Sequence, residues 1–266
     1  MPDHLQDRLA LALTAADAAG KITLEHFACS GLSVETKSDG SPVTAIDRAA
    51  ESAIRDLIQA AFPDDAIEGE EHANTAGTSG YNWIIDPIDG TYSYIHGVPL
   101  YGTLIGLEHN NQLALGVIHM PALDETVYAA TGRGAWYRRG NAAPVPARVS
   151  TTKSLADALV ITTSYDYFRE TGTTAVFDRI NQSAGHTRGW SDCYAAVLLA
   201  TARADAIIEP LVHPWDIAAL FVVITEAGGI ATDWTGAPSI HSRNAVMSNS
   251  HFHADLLKLT RTPGAP

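Results

Sequence analysis

Three short acidic islands in this chain combine residue types that handle phosphate and divalent cations: Gly69-Glu70-Glu71, Asp86-Pro87-Ile88-Asp89-Gly90-Thr91 and His213-Pro214-Trp215-Asp216. The middle island says most. Trp83-Ile84-Ile85 reads as a buried strand delivering Asp86 to its C-terminal end, where ligand crevices form in layered α/β proteins. Pro87 is expected to stop that strand, and Asp89-Gly90 is a tight-turn pair. Two carboxylates so spaced converge on one cavity, and the turn bares the Ile88 carbonyl and the amides of Gly90 and Thr91. Hard oxygen ligands of this kind select Mg²⁺ or Mn²⁺ over zinc. Amides opening a following helix favour a phosphate oxygen, so a cation cluster beside an anion cradle points to phosphoryl chemistry. Read singly, each island is ordinary: turn punctuation, a solvated loop charge at Glu70-Glu71, and an acid in a helix's first turn at Asp216. Their combination and order carry the signal.

Such islands need elements to bring them together. Residues 5–27 place Leu9, Leu11, Leu13, Ala16, Ala19, Ile22 and Leu24 at mostly helical spacing and predict a long helix. Thr44 and Asp47 form a capping-box start, followed by Ile46, Ala50, Ile54, Leu57, Ile58 and Ala61 on one helical face, and Pro63 stops this second helix. Runs 104–108 and 113–120 flank Asn110-Asn111 as a hairpin, with further strands at 127–130 and 134–137. Beyond the polar stretch 141–153, segments 158–162 and 206–209 read as strands and 192–203 and 215–227 as helices. The expectation is an α/β (α+β) fold of layered helices and sheets, a single domain over 1–266 whose two lobes meet near 141–153.

Composition narrows the function classes. The 266 residues are 46% hydrophobic and 18% charged, enough apolar mass for a sizeable core and too much for a disordered acidic chain. Seventeen Lys and Arg against 30 Asp and Glu leave a net charge of −13, which argues against a nucleic-acid partner. Cys29 and Cys193 form neither a disulfide framework nor a metal-ligand spacing. The N-terminus lacks a basic, then apolar, leader, and the longest strongly apolar run, 217–224, is far short of a bilayer span. A soluble, cytoplasmic protein with no membrane partner is expected.

From about Asp47 to Gly229 the chain resembles the inositol monophosphatase superfamily of metal-dependent phosphatases. The resemblance rests on Gly-Glu-Glu at 69–71, Trp-Ile-Ile-Asp-Pro-Ile-Asp-Gly-Thr at 83–91, and Trp215-Asp216 followed by Thr225-Glu226-Ala227-Gly228-Gly229. It implies a layered αβαβα sandwich of the inositol monophosphatase and fructose-1,6-bisphosphatase type, a homodimer, and hydrolysis of a small phosphate monoester with two or three Mg²⁺ (or Mn²⁺) ions. By that resemblance Glu70, Asp86 and the Ile88 carbonyl hold the first ion and Asp86, Asp89 and Asp216 the second, with Glu70 sharing a third. Thr91, supported by Asp47, orients the attacking water together with Glu70; Asp47 alternatively serves only as the capping acid of its helix. The amides of Gly90 and Thr91 hold the phosphate. Lys37 matches a lysine common in the family's early loop, or is a surface charge. A phosphate dianion cannot approach four carboxylates without cations, and alanine at Asp89 is expected to remove activity with little loss of fold. A non-catalytic descendant would lack one of these residues; none is missing.

The leaving-group side is less marked. Inositol-specific members carry small residues where this chain has Trp190-Ser191-Asp192-Cys193, and Glu209 matches the family's acidic leaving-group contact. Two acids suit an ammonium and an imidazole, so the chain looks like the superfamily's histidinol-phosphate phosphatases; an inositol or broad sugar phosphatase is the alternative. Substituting Asp192 by alanine is expected to penalise histidinol phosphate more than a neutral polyol phosphate, unless Asp192 merely caps its helix. Tyr92 and Tyr94 depart from the turn usual in inositol phosphatases. His96, His119 and His213 have no partner at metal-ligand spacing and read as packing or rim residues.

Overall fold

Neighbouring side chains of one central strand feed two different cores: Trp83 and Ile85 face one way, Ile84 the other. That period of two is what a sheet covered on both faces requires. The structure, a computed structural model, describes residues 4–29, 31–37, 40–190 and 192–261. In chain order the described residues form α1 (His4–His26), β1 (Val34–Thr36), β2 (Pro42–Thr44), α2 (Ala45–Ala61), β3 (Ala66–Gly69), β4 (Tyr81–Asp89) and α3 (Thr91–Ile95). Then come β5 (Gly102–His109), β6 (Gln112–Met120), β7 (Glu125–Ala130), β8 (Ala135–Arg139), β9 (Val145–Ala147), β10 (Leu159–Ile161), α4 (Tyr165–Glu170), α5 (Thr174–Ser183) and β11 (His186–Arg188). The chain continues through α6 (Asp192–Ala200), β12 (Ala206–Glu209), α7 (Pro214–Glu226), β13 (Gly229–Thr232), β14 (Ala245–Asn249) and α8 (His253–Thr260).

A seven-stranded sheet, β3-β4-β5-β6-β7-β8-β9, is antiparallel apart from the β3–β4 pair. Its Trp83–Ile85 face packs under α1 and α2. The Ile84 face packs on α6 and α7, whose far sides meet Ile161, Ile207, Ala231 and Met247 of a five-stranded sheet, β11-β10-β12-β14-β13. Phe168, Val176, Ile180 and Leu256 bring α4, α5 and α8 onto the outer face of that second sheet. The layers therefore run αβαβα, the expected fold class.

The position of α7 explains its composition. Ile217 through Ile224 is buried without a break, because a helix between two sheets has no wet face. Each large side chain there contributes roughly 1.5–3 kcal/mol of burial. The contact is close: a Cβ on Gly116 of β6 would come within 2.3 Å of the Ala219 carbonyl oxygen, so only glycine admits the helix. That seating fixes the height at which the N-terminus of α7, with Asp216, meets the end of β4.

Both opening helices and the hairpin follow the sequence reading. Thr44 caps α2 and forms a reciprocal capping box with Asp47, and Asn110 and Asn111, both at positive φ, turn β5 into β6. Two expectations are corrected. Pro87 does not stop β4: Asp86 pairs with Leu104 and Asp89 with Gly102, so the strand runs on through a bulge. Proline is tolerated there because a bulge leaves an unpaired residue that needs no ladder donor. Ala61 is exposed rather than on the buried face of α2. The 141–153 stretch also contains β9, the edge strand of the first sheet.

Candidate active site

The bulge takes Pro87 and Ile88 out of the ladder between Asp86 and Asp89 at the end of β4, and Asp216 meets these two acids from the first turn of α7; ligand oxygens of the three lie within 4.8 Å of one another. Each is also tied to backbone. Asp86 Oδ1 accepts from the Ile88 amide at 3.0 Å, and Asp216 Oδ2 accepts from the His213 amide at 2.7 Å, capping α7. Asp89 Oδ2 accepts from the buried amide of Cys193 in the first turn of α6. Glu70 follows β3, whose parallel pairing sets Gly69 beside Ile85; its amide donates to the Ile85 carbonyl at 3.2 Å, and its carboxyl lies within hydrogen-bonding reach of Asp86. Gly90, at φ 89°, starts α3, and Thr91 Oγ1 donates to the Ile88 carbonyl at 3.1 Å. Asp47 Oδ2 accepts from the Thr44 amide and hydroxyl at 2.8 and 2.6 Å, which is its capping role.

Two charged residues of α2 that sequence reading passed over hold the Glu-Glu loop. Glu51 is fully buried; its Oε1 accepts from Arg55 Nε and its Oε2 from the Glu71 amide, both at 2.7 Å. A Cβ on Gly69 would meet Glu51 Oε1 at 2.1 Å, so the ion pair fills the space a side chain would need and the motif begins with glycine. Lys37 is not a free surface charge: its Nζ donates to Glu70 Oε1 and Glu71 Oε1, both at 2.6 Å. Burial alone works to lower its pKa, but the Glu70 and Glu71 carboxylates overcome that and raise it.

On the opposite side, Glu209 ends β12 and accepts from the Thr163 amide at 2.7 Å and the Thr163 hydroxyl at 3.1 Å. Asp192 takes the left-handed φ of 48°, and its amide donates to Thr163 Oγ1 at 3.1 Å. A Cβ on Gly90 would stand 3.0 Å from Asp192 Oδ2, which places this carboxylate against the phosphate-side turn. The Cys193 amide in the first turn of α6 donates to Asp89. Trp190 is exposed beside this stretch, and Ser191 lies outside the described residues. Tyr167 of α4, which carries no sequence signal, stands in the same field: burial and then the charges of Asp192 and Glu209 raise its phenol. His96 bonds the Tyr92 carbonyl, His119 pairs with Thr126 and His213 stacks on Trp215.

The cluster is electrostatically loaded. Burial pushes Asp86 and Asp89 well above the usual carboxylate range, with Glu70 and Asp216 adding for the first and Asp192 and Asp216 for the second. Burial likewise raises Glu70 and Asp47, carries Asp216 up to about 7, and carries Glu209 up to about 8. A carboxyl whose folded pKa exceeds its unfolded one binds protons more tightly when folded, so it loses stability as pH rises between the two values. His253 runs the other way: burial lowers it from 6.5 to about 4, so its contribution falls away only below 6.5. Between pH 6.5 and about 8 the carboxyls decide the sign. The unfolding temperature of EDTA-treated protein is expected to fall across that window, and millimolar Mg²⁺ to cancel most of the fall. A thermal-shift series whose pH slope is the same with and without Mg²⁺ contradicts this.

The donor set fits a divalent cation. Buried and half-buried, mutually repelling carboxylate oxygens backed by a carbonyl are hard ligands whose charge no nearby cation but Lys37 offsets among the described residues. The model of the Inositol monophosphatase family matches residues 4–263 of this chain. A histidinol-phosphatase of Chlorobaculum parvum is 42% identical over 240 residues, covering 90% of this chain and 91% of the relative. One from Streptomyces coelicolor is 38% identical over 261 residues, 97% of each. Among solved structures, the extragenic suppressor protein suhB of Bartonella henselae superposes with a TM-score of 0.88 at 26% identity, over 97% of this chain and 99% of that one.

Proposed function

The chain belongs to the inositol monophosphatase family, and on that footing we propose that it is a Mg²⁺-dependent phosphatase converting L-histidinol phosphate and water to L-histidinol and phosphate, a step of histidine biosynthesis. The observation that carries the substrate is the pair of acids, Asp192 and Glu209, set across from the Asp86–Asp89–Asp216 cluster and tied to one threonine. Similarity to two histidinol-phosphatases over nine-tenths or more of the chain supports it.

In this reading Glu70, Asp86, Asp89, Asp216 and the Ile88 carbonyl hold two or three Mg²⁺ or Mn²⁺ ions. Bound there, the cations supply Lewis-acid activation of water and neutralise the phosphate and the leaving oxygen. Thr91 presents its hydroxyl oxygen to the attacking water, its own proton being directed to the Ile88 carbonyl. Glu70 and Asp47 accept protons on that side, Asp47 being held in place by Thr44. The amides of Gly90 and Thr91 face the equatorial phosphate oxygens. Asp192 and Glu209 take the amine and imidazole, with the exposed Trp190 on the rim of that pocket. The family further implies a cytoplasmic homodimer.

Steady-state kinetics on L-histidinol phosphate, inositol 1-phosphate and fructose 1,6-bisphosphate test the reading. A preference for the first of about 100-fold or more in kcat/KM is expected, because a neutral leaving group brings no cation to the two acids. All phosphate release should vanish with EDTA and return with Mg²⁺. Equal efficiency on the first two substrates overturns the assignment in favour of a broad inositol or sugar phosphatase.

A further inference from the structure

We propose that Thr163 is the positioning residue for leaving-group selectivity, its single hydroxyl setting the spacing of the two acids that read the substrate; this rests on the functional reading above. Thr163 leaves the sheet just past β10, and β10 runs parallel to β12 with Ile161 opposite Ile207. The register therefore brings Thr163 alongside Glu209 as both strands end. Its amide donates to Glu209 Oε1 at 2.7 Å, and its Oγ1 donates to the same oxygen at 3.1 Å. The same Oγ1 accepts from the Asp192 amide at 3.1 Å. A hydroxyl has one proton and two lone pairs. Here the proton goes to one acid and a lone pair takes the backbone of the other, so both are referred to one atom.

Asp192 needs such a restraint. At φ 48° it occupies a conformation that residues with a side chain rarely adopt, and it stays there only if its surroundings over-determine it. Two bonds do so on either side of its Cα: its own amide to Thr163 and the following Cys193 amide to Asp89. The first ties Asp192 to the leaving-group side, the second to the cation cluster. Without the Thr163 hydroxyl, Asp192 loses its tie to the leaving-group side. Glu209 keeps the Thr163 amide and a long contact to Thr162 Oγ1 at 3.5 Å. The phosphate and cation groups are untouched, so the loss should be confined to substrates that use both acids.

Valine is nearly isosteric with threonine and neither donates nor accepts. Thr163→Val is expected to lower kcat/KM for L-histidinol phosphate about 30-fold, mainly through KM, as befits hydrogen bonds to charged groups. For β-glycerophosphate, whose leaving group is uncharged, the loss should stay within about threefold, and the Mg²⁺ half-saturation should not move. Thr163→Ser restores the hydroxyl and should recover selectivity to within about threefold of wild type. Should valine not fold, Thr163→Ala, which removes the hydroxyl without placing a new methyl, is measured in its stead, with calorimetric binding of L-histidinol as the second readout. An equal loss on both substrates, as a merely structural threonine gives, overturns the proposal, as does undiminished selectivity. Wild-type enzyme without a preference for histidinol phosphate defeats the functional reading and this inference with it. A selective wild type with an equally selective Thr163→Val variant defeats this inference alone.

Discussion

Asparagine at Asp89 is expected to lower kcat/KM by on the order of 1,000-fold or more while leaving the metal-free protein at least as stable as wild type. The two effects separate because the two carboxylate oxygens work on different things. Oδ2 accepts the buried Cys193 amide and so closes the N-terminus of α6; the carboxylate as a whole faces Asp86 and Asp216. Asparagine keeps an acceptor for Cys193 and puts a neutral amide where the cation needs a charge. In the absence of metal that change also removes one of several buried like charges, whose repulsion helps to hold Asp86 above the usual carboxylate range. Alanine does something else. It takes away the cap as well, leaving a buried amide unpaired at a cost of about 1–3 kcal/mol. The sequence-based expectation that alanine spares the fold is therefore revised: alanine should lose stability and activity together, asparagine activity alone. Thermal shift against Mg²⁺ concentration, run beside turnover, reads both. Asparagine enzyme that keeps turnover within tenfold of wild type, or that still gains wild-type stabilisation from Mg²⁺, removes Asp89 from the cation site.

The candidate-site carboxylates were legible because each lies in a stretch whose local geometry is nearly forced. Asp86 and Asp89 are spaced around a proline and a glycine, and Asp47 and Asp216 sit at helix starts whose capping bonds reach three residues along the chain. Local rules of that kind need no tertiary information. Pro87 shows where they fail: a missing amide proton ends a strand only if the ladder asks for it, and here a bulge excuses it. Glu51 and Arg55 look like any solvated pair one helical turn apart. Their burial depends on a loop that returns twenty residues later to offer the Glu71 amide, the His72 carbonyl and the Thr75 hydroxyl. Thr163 was invisible for the same reason, since a threonine after a short strand gains meaning only once β12 is known to run beside it. The unbroken apolar run of α7 announced burial on all sides, but the second sheet that buries it is built from strands scattered between Leu159 and Asn249.

Removing the charge of Asp192 is expected to cost about 100-fold in kcat/KM for L-histidinol phosphate and much less for β-glycerophosphate. The choice of substitution matters. At φ 48° alanine adds backbone strain to the loss of charge, whereas asparagine is among the residues that tolerate the left-handed region. Asp192→Asn therefore isolates the electrostatics. Its carboxylate lies against the Gly90 turn and among the other acids, so it opposes the approach of any phosphate dianion and favours one that brings its own positive charge. With the charge gone, a neutral-alcohol phosphate loses only a repulsion, while an ammonium or imidazolium loses a partner. A second consequence follows at Glu209. Burial is the main reason its carboxyl stands at about 8, but the neighbouring charge of Asp192 contributes, so in the asparagine enzyme Glu209 should ionise at lower pH. If the acidic limb of the kcat/KM profile for L-histidinol phosphate reports Glu209, that limb shifts toward lower pH even as the plateau falls. Losses of equal size on both substrates, or a plateau that falls with no shift of the limb, would separate Asp192 from Glu209 and undo their reading as a pair.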